Sequence, residues 1–140
     1  MKYIYTIGNC SKVTHLEAKG WRDCIKLYLE LFSDNLVKII NITDYYSYDE
    51  KFHDTDKEIA NFCERSIKKS ECVIVNYDKL DTSSGSQREI GLARAYGVPI
   101  FIINKDGELG LYPWDLYWCE RVFEDLGECC EHVSKYIINA

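Results

Sequence analysis

The sequence predicts an α/β protein built on a doubly wound, mostly parallel β-sheet. Short apolar segments rich in β-branched residues alternate along the chain with amphipathic segments of helical period. The apolar segments are continuously hydrophobic, as is typical of strands that are buried on both faces of a parallel sheet. The connections between them are too long for hairpins, so they are expected to lead to parallel neighbours. A flavodoxin- or Rossmann-like sheet of about five strands, with helices on both faces, follows from these observations.

Length and composition indicate one globular domain that spans residues 1–140. The hydrophobic content of 46% is enough for a substantial core in a chain of 140 residues. A net charge of −6 without a basic block argues against binding to nucleic acid polymers or to anionic membranes. No apolar run approaches the roughly 20 residues of a membrane span, and the first residues lack a signal-peptide core. We therefore expect a cytoplasmic protein.

The first part of the chain predicts two strands with a helix between them. Residues 2–7 are mostly apolar and are followed by a glycine–asparagine turn signal, which predicts the first strand. Residues 11–19 are polar and fit either a loop or the start of a helix. Apolar side chains recur every three or four positions over residues 21–32, so this segment is predicted to be an amphipathic helix. Residues 36–42 contain three isoleucines and a valine and predict the second strand.

The middle of the chain predicts a second helix and the central strand. Asp54 or Thr55 is expected to cap this helix. Its buried face would consist of the apolar and small residues Ile59, Phe62, Cys63, Ser66 and Ile67. Residues 72–76 are mostly apolar and β-branched, which predicts a strand buried on both faces. Residues 77–85 are polar and rich in turn formers, so they are predicted to form a loop at the carboxyl end of that strand.

A third helix and the remaining elements complete the predicted sheet. Ser86 and Glu89 have the spacing of a capping box, and apolar residues follow at helical intervals until a Gly-Val-Pro stop. Residues 99–104 and 121–123 predict the fourth and fifth strands, and an aromatic segment at residues 111–118 lies between them. A last apolar stripe predicts a closing helix, with Leu126, Cys129, Val133, Tyr136 and Ile137 on its inner face.

Cysteine and histidine spacing argues against a metal site and against disulfides. The three histidines lie in unrelated segments, and neither Cys-x-x-Cys nor His-x-x-x-His occurs. The seven cysteines are odd in number and mostly embedded in apolar patterns, as expected for free thiols in a reducing compartment. A glycine-rich phosphate loop and a dinucleotide fingerprint are also absent from the sequence, so no cofactor is predicted.

Glu89 carries the clearest chemical signal in the sequence, and two interpretations of it are open. In the first, it only completes a capping box with Ser86, which would contribute about 1 kcal/mol to stability. In the second, it lies in the first turn of a helix, where free amides and the helix dipole keep a carboxylate ionised. A positioned carboxylate can attack an electrophilic sugar carbon, as in retaining glycoside chemistry.

Three segments of the chain resemble the nucleoside 2-deoxyribosyltransferase family. They are Lys2-Tyr-Ile-Tyr-Thr-Ile-Gly, Ser70-Glu-Cys-Val-Ile-Val-Asn and Ser84-Gly-Ser-x-x-Glu-Ile-Gly-x-Ala. The resemblance implies that Glu89 is the nucleophile that attacks the anomeric carbon, releases the base and holds the sugar as a covalent ester. It also implies that Tyr5 orients this glutamate. Related N-glycosidases of nucleoside 5′-monophosphates use the same glutamate but pass the sugar to water.

The same resemblance implies a set of substrate-binding residues. These are Gly8, Asn9, Cys63, Asp81, Ser83, Ser84, Gly85 and Ser86. Asn9 would contact the sugar or stabilise the turn after the first strand. Cys63 occupies the place where the transferases usually carry an aspartate that handles the base, with Asn61 or Glu64 as alternatives. Ser83 replaces an aspartate that contacts the 5′-hydroxyl in the transferases; in the monophosphate hydrolases a serine there helps to bind phosphate.

The sequence leaves three functions open. The leading one is a nucleoside 2-deoxyribosyltransferase-like enzyme that cleaves the N-glycosidic bond of a (deoxy)nucleoside or nucleotide. The alternatives are a nucleoside 5′-monophosphate N-glycosidase, which is a hydrolase, and a non-catalytic protein that binds a nucleotide derivative. In each case the partner is a small-molecule nucleoside or nucleotide. The resemblance also implies a homo-oligomer, and the aromatic segment at residues 111–118 is the expected contact.

Overall fold

The computed structural model describes residues 1–10, 13–33, 36–46, 56–78, 80 and 84–140. Among these residues, five strands form one sheet in which every neighbouring pair is parallel. The strands are β1 (Lys2–Ile7), β2 (Val37–Ile40), β3 (Cys72–Asn76), β4 (Ile100–Ile103) and β5 (Arg121–Phe123), in the spatial order β2-β1-β3-β4-β5. The predicted fold class and the five predicted strands are confirmed.

Helices cover both faces of the sheet in the described part of the chain. They are α1 (His15–Phe32), α2 (Asp56–Lys69), α3 (Ser84–Ala95), α4 (Pro113–Trp118) and α5 (Leu126–Val133), which continues as a π-helix over Ser134–Ile138. Helices α1 and α5 pack on one face, and α2 and α3 pack on the other. Within the described residues, none of the helices has the length and apolar character that crossing a membrane requires.

The alternation of side chains along β1 divides the core into two layers. Ile4 packs in the layer under α1 and α5, whereas the next residue, Tyr5, packs in the layer under α2 and α3. The second of these layers also contains the buried residues Ile7, Cys63, Ile67, Val73, Val75, Ile90 and Ala93. The side chain of Tyr5 therefore points toward α2 and α3 and packs against their side chains.

The start of α1 resolves an alternative that the sequence left open. The helix begins at His15, because the side chain of Thr14 accepts a hydrogen bond from the backbone N–H of Glu17 at 3.1 Å. The described part of the polar segment 11–19 is therefore mainly the first turn of the helix. The helix-start alternative is the one that the structure shows.

The start of α3 corrects the predicted capping box. The helix begins at Ser84, so Ser86 lies inside it and is not its N-cap. A sequence with several serines in a row offers more than one cap position, and the spacing alone does not choose between them. Glu89 consequently lies in the second turn of the helix rather than the first.

Other boundaries differ in smaller ways. Strand β2 ends at Ile40, two residues before the predicted end, because a 3₁₀ turn over Ile42–Asp44 follows it. The aromatic segment contains the short helix α4, with a proline at its first position. The predicted caps Asp54 and Thr55 lie outside the described residues. All seven cysteines are free thiols.

The turn after β1 is packed closely against α1. A Cβ atom on Gly8 would lie 2.5 Å from Cζ2 of Trp21 and 3.3 Å from its Cε2. This position therefore requires glycine because of the close approach of an aromatic ring. The packing fixes the end of β1 relative to α1.

Candidate active site

The strand order places a topological switch point at the carboxyl ends of β1 and β3. The two strands are neighbours, but the chain continues from β1 to α1 on one face and from β3 to α3 on the other. In open α/β sheets, ligands bind where the connections diverge in this way. Several of the predicted site residues belong to the elements that meet here.

Tyr5, Cys63 and Glu89 approach one another from three elements at this point. Tyr5 in β1 is fully buried, Cys63 in α2 is buried, and Glu89 in α3 is half-buried. Burial and the negative charge of Glu89 raise the pKa of Tyr5 well above its ordinary value. Burial, with a further contribution from Glu89, raises the pKa of the Cys63 thiol to about 12. The tyrosine and the thiol are therefore protonated at physiological pH, and both face the carboxyl group.

Two polar atoms of this group are buried without hydrogen-bond partners among the described residues. Oη of Tyr5 and Oε2 of Glu89 have no hydrogen-bond partner among the described residues. Buried polar atoms are normally paired, so unpaired ones need a functional or structural reason. A phenol and a carboxylate placed in this way can orient each other and interact with a polar ligand.

The ionisation of Glu89 differs from the expectation. The sequence predicted a carboxylate kept ionised at the N-terminus of a helix. Because α3 begins at Ser84, Glu89 lies beyond the free amides of the first turn. Burial instead raises the pKa of Glu89 to about 7, although the Tyr5 hydroxyl and the positive charge of Arg22 lower it. The group thus titrates near neutral pH.

Arg22 is a candidate site residue that the sequence analysis missed. Its side chain is completely buried, and its guanidinium donates hydrogen bonds to the carbonyl oxygens of Ala18 at 2.6 Å and Gly8 at 3.0 Å. A signal was present in the sequence. Ala18, Ile25 and Leu29 form the buried stripe of α1, and Arg22 lies on this stripe between Ala18 and Ile25. A basic residue within such a stripe indicates a buried charge.

The other predicted site residues are placed as follows. Asn9 is buried directly after Gly8. Ser86 is buried in the first turn of α3, whereas Gly85 beside it is exposed. Asp81 and Ser83 lie outside the described residues, and so does the side chain of Ser84.

The two alternatives to Cys63 do not face this group. Glu64 accepts a hydrogen bond from the hydroxyl of Tyr96. Tyr96 lies just beyond the C-terminal end of α3, seven residues and roughly 10 Å along the helix from Glu89. Asn61 is exposed on α2.

A buried carboxylate ties α4 to the end of β3 and to α3. Oδ2 of Asp115 accepts hydrogen bonds from the Tyr77 hydroxyl at 2.7 Å and from Nε2 of Gln87 at 3.1 Å. The Tyr77 oxygen in turn accepts from the backbone N–H of Tyr112 at 2.9 Å. Asp115 was hidden within the aromatic segment of the sequence. Its network positions α4 beside the helix that carries Glu89.

Metal-ligating side chains do not cluster in the part of the chain that the structure describes. There, no three His, Cys, Asp or Glu side chains come together in a group that could hold a metal ion.

A family comparison matches most of the chain. The family model described as nucleoside 2-deoxyribosyltransferase matches residues 16–139. This range includes Glu89, Cys63 and Arg22, whereas Tyr5 lies before it. A search of curated protein sequences finds no match.

Three solved structures resemble the chain over nearly its whole length. A conserved protein from Enterococcus faecalis V583 superposes with a TM-score of 0.72 at 16% identity, covering 95% of this chain and 97% of that one. The CMP N-glycosidase BcmB from Clostridium botulinum gives 0.59 at 17% identity, with 96% and 99% covered. A 2-desoxiribosyltransferase from Leishmania mexicana gives 0.59 at 13% identity, with 97% and 99% covered. At these identities the likeness shows the fold.

Because the pKa of Glu89 is raised, replacing its carboxyl group with an uncharged amide should stabilise the fold at alkaline pH but not at acid pH. Folding favours the protonated form, so the contribution of Glu89 to stability is present at acid pH and is lost as the pH rises through about 7. Glu89→Gln should therefore raise the free energy of unfolding at about pH 8.5 by up to roughly 3 kcal/mol, with little change at about pH 4. Urea unfolding at the two pH values measures the difference.

Glu71→Gln is the matched control for this prediction, because Glu71 is exposed. It should leave the stability nearly unchanged at both pH values. An equal effect of Glu89→Gln at both pH values would show that the carboxyl group is not buried in its ionised form.

Proposed function

Because the chain belongs to the nucleoside 2-deoxyribosyltransferase family, we propose that it cleaves the N-glycosidic bond of a (deoxy)nucleoside or nucleotide, with Glu89 as the nucleophile. Membership makes the chain a glycosyl-transferring or N-glycosidase-type enzyme. The observation that supports Glu89 is its buried, unpartnered carboxylate oxygen beside Tyr5 at the switch point of the sheet. No other carboxyl group in the described residues combines these properties.

The proposed reaction has two displacement steps at one carbon. In the first, a carboxylate oxygen of Glu89 forms a bond to the anomeric carbon, and the bond from that carbon to the base breaks with its electron pair on the base. The sugar then remains as an ester of Glu89. In the second step a second base or water attacks the same carbon and frees the carboxylate. The proton that the acceptor loses balances the proton that the departing base gains.

Tyr5 is proposed to orient the nucleophile. Its hydroxyl remains protonated because burial and the Glu89 charge raise its pKa. It can therefore donate a hydrogen bond to one carboxylate oxygen and leave the other free to attack. In structures without a ligand such hydrogen bonds are often long and tighten when substrate binds.

The base side of the site differs from the pattern of the transferases. The thiol of Cys63 is protonated and is a weak hydrogen-bond donor, unlike a carboxylic acid. We infer that the departing base takes its proton from another group or from solvent. With a weak donor on the base side, both water and a second base are candidate acceptors for the sugar.

The proposal predicts release of free base that depends on Glu89. Incubation with a panel of nucleosides and nucleoside 5′-monophosphates, with and without a second base, should yield free or exchanged base that chromatography detects. Glu89→Ala should lower the rate by at least about a thousandfold, because the covalent step is lost. Glu71→Gln, at an exposed position, should retain the rate.

The outcomes separate the possible functions. Base exchange indicates a transferase, and free base with water as the acceptor indicates a hydrolase. Binding of a nucleotide without release of base would indicate a non-catalytic binding protein. Full activity of Glu89→Ala would reject Glu89 as the nucleophile.

A 5′-monophosphate N-glycosidase is the second candidate function. The presence of a serine at position 83, where the transferases carry an aspartate, favours it. A serine hydroxyl can donate to a phosphate dianion, which charge-assisted hydrogen bonds of about 1.5–3 kcal/mol each would hold. Wild-type kcat/KM should then be at least about tenfold higher for 5′-monophosphates than for nucleosides.

Ser83→Asp should reverse this preference, because its carboxylate repels the phosphate. Its activity on nucleosides controls for folding. An equal rate on both substrate classes that Ser83→Asp leaves unchanged would assign Ser83 an ordinary loop role.

We also propose that the protein assembles through α4. Trp114, Leu116 and Tyr117 are 65%, 58% and 72% exposed, and Asp115 anchors the helix between them. Exposed aromatic residues on a rigid element are typical of interface cores.

Sedimentation velocity at micromolar concentration should show an assembly that Tyr117→Glu shifts toward the monomer. Tyr136→Glu, at another exposed tyrosine, should not shift it. A monodisperse wild-type monomer would contradict the proposal.

A further inference from the structure

Arg22 is buried in a position where a positive charge is costly. Its side chain has no exposed surface, and it lies on the stripe of α1 that otherwise contains Ala18, Ile25 and Leu29. A buried charge normally has a partner of opposite sign or a function. Among the described residues Arg22 forms no ion pair; the pairs found there join Lys19 to Asp23 and to Asp44.

The hydrogen bonds of Arg22 hold its guanidinium at the end of β1. Nη2 donates to the carbonyl oxygen of Gly8, the residue that follows the strand, and Nη1 donates to the carbonyl oxygen of Ala18 one turn earlier in α1. The backbone oxygen of Arg22 accepts a hydrogen bond from Nδ2 of Asn41 at 3.3 Å. The guanidinium also lies 4.5 Å from the centre of the Trp21 ring. These contacts orient the group, but the acceptors are neutral.

The other groups near this guanidinium are uncharged, so Glu89 is the candidate for its negatively charged partner. Tyr5 from β1, Cys10 from the turn after it and Cys63 from α2 are held in their neutral forms, since burial raises the pKa of each. Asn41 after β2 is an uncharged amide. The positive charge of Arg22 acts on Glu89 from α3, where it opposes the rise that burial causes in the pKa of the carboxyl group. On α1 itself, Lys19 and Asp23 pair with each other at 3.2 Å.

Two of the buried polar atoms without partners belong to these two residues. Nε of Arg22 and Oε2 of Glu89 have no hydrogen-bond partner among the described residues. The guanidinium and the carboxylate reach the switch point from opposite faces of the sheet, because α1 and α3 pack on opposite faces. The charge of Arg22 is thus available to the carboxylate across a region with little screening by solvent.

We propose that Arg22 is a positioning residue for Glu89, and that its fixed, buried positive charge favours the ionised form of the carboxylate and directs it toward the end of β1. The role rests on the proposed function of Glu89 as the nucleophile. A guanidinium suits this role because it does not lose its proton in proteins and because its planar donors lock onto the Gly8 and Ala18 carbonyls. Without it, only the Tyr5 hydroxyl would oppose the effect of burial on Glu89, and a protonated carboxyl group cannot attack the sugar.

The first test measures the charge of Glu89 without any substrate. The protein is labelled with glutamate that carries ¹³C at the side-chain carboxyl carbon, and Glu89→Gln identifies the Glu89 resonance. Arg22→Gln should raise the titration midpoint of Glu89 by about one pH unit or more, a tenfold change in its ionisation constant. Arg22→Lys keeps the charge and should retain most of the wild-type midpoint. Arg94→Gln removes an equal charge from the exposed face of α3 and should leave the midpoint unchanged.

The second test follows activity as a function of pH. If Glu89 is the nucleophile, the acidic limb of kcat/KM should move to higher pH in Arg22→Gln by the same amount as the titration midpoint. A purely structural role would lower kcat/KM at all pH values and leave the limb in place. Asn41→Ala serves as the structural control, because it removes the hydrogen bond to the Arg22 backbone and keeps the charge.

The two tests separate this inference from the proposed function. If the wild-type protein releases no base but the midpoint moves as expected, the function is wrong and the electrostatic role of Arg22 is supported. An unmoved midpoint in folded Arg22→Gln overturns the inference, whether or not the protein is an enzyme. If Arg22→Gln does not fold, Arg22→Met, which keeps the apolar stem, is titrated in sucrose, which stabilises folded states. The same criterion applies to that variant.

Discussion

The parallel pairing of β1 with β3 is the interaction on which the rest of the structure depends. It aligns Tyr5 with Val73 and directs both side chains into the layer beneath α2 and α3. Parallel strands also place their carboxyl ends at the same edge of the sheet, so the segments that follow β1 and β3 start side by side. The helices after them then leave on opposite faces. Arg22 belongs to the first of these helices and Glu89 to the second. A basic and an acidic residue that are distant in the sequence are therefore directed to the same edge of the sheet.

The group at this edge of the sheet is built at the expense of stability. One carboxyl oxygen of Glu89, one nitrogen of Arg22 and the phenol oxygen of Tyr5 are buried there without partners among the described residues. Each would be easier to tolerate as an apolar side chain of similar size. The burial that makes the carboxylate costly also removes water from it, and under the proposed function a carboxylate with less hydration is a more reactive nucleophile. In that proposal, stability is exchanged for chemical reactivity within a well-packed core.

The sequence was sufficient to predict the sheet but only part of the site. The strands could be predicted because continuously apolar, β-branched segments rarely form anything but buried strands. The alternation of strands with helices then indicated that the strands are parallel. The proximity of Tyr5 and Glu89 followed from the family resemblance and from that topology. The ionisation of Glu89 could not be predicted, because burial depends on neighbours that are remote in sequence. Arg22 and Asp115 were missed because each is a single charge inside a pattern that otherwise looks purely hydrophobic.

The long separation of the paired strands has a consequence for how the protein folds. Ile4 pairs with Cys72, so 68 residues (72 − 4) must be closed into a loop before β1 and β3 meet. Contacts of this kind form late and slowly compared with local helices. The residues around Glu89 come together only when this loop closes, whereas α1 and α3 can form beforehand. Partly folded chains would hence possess much of the helical content and none of the assembled site, so recovery of the site during refolding would report the formation of the central strand pair.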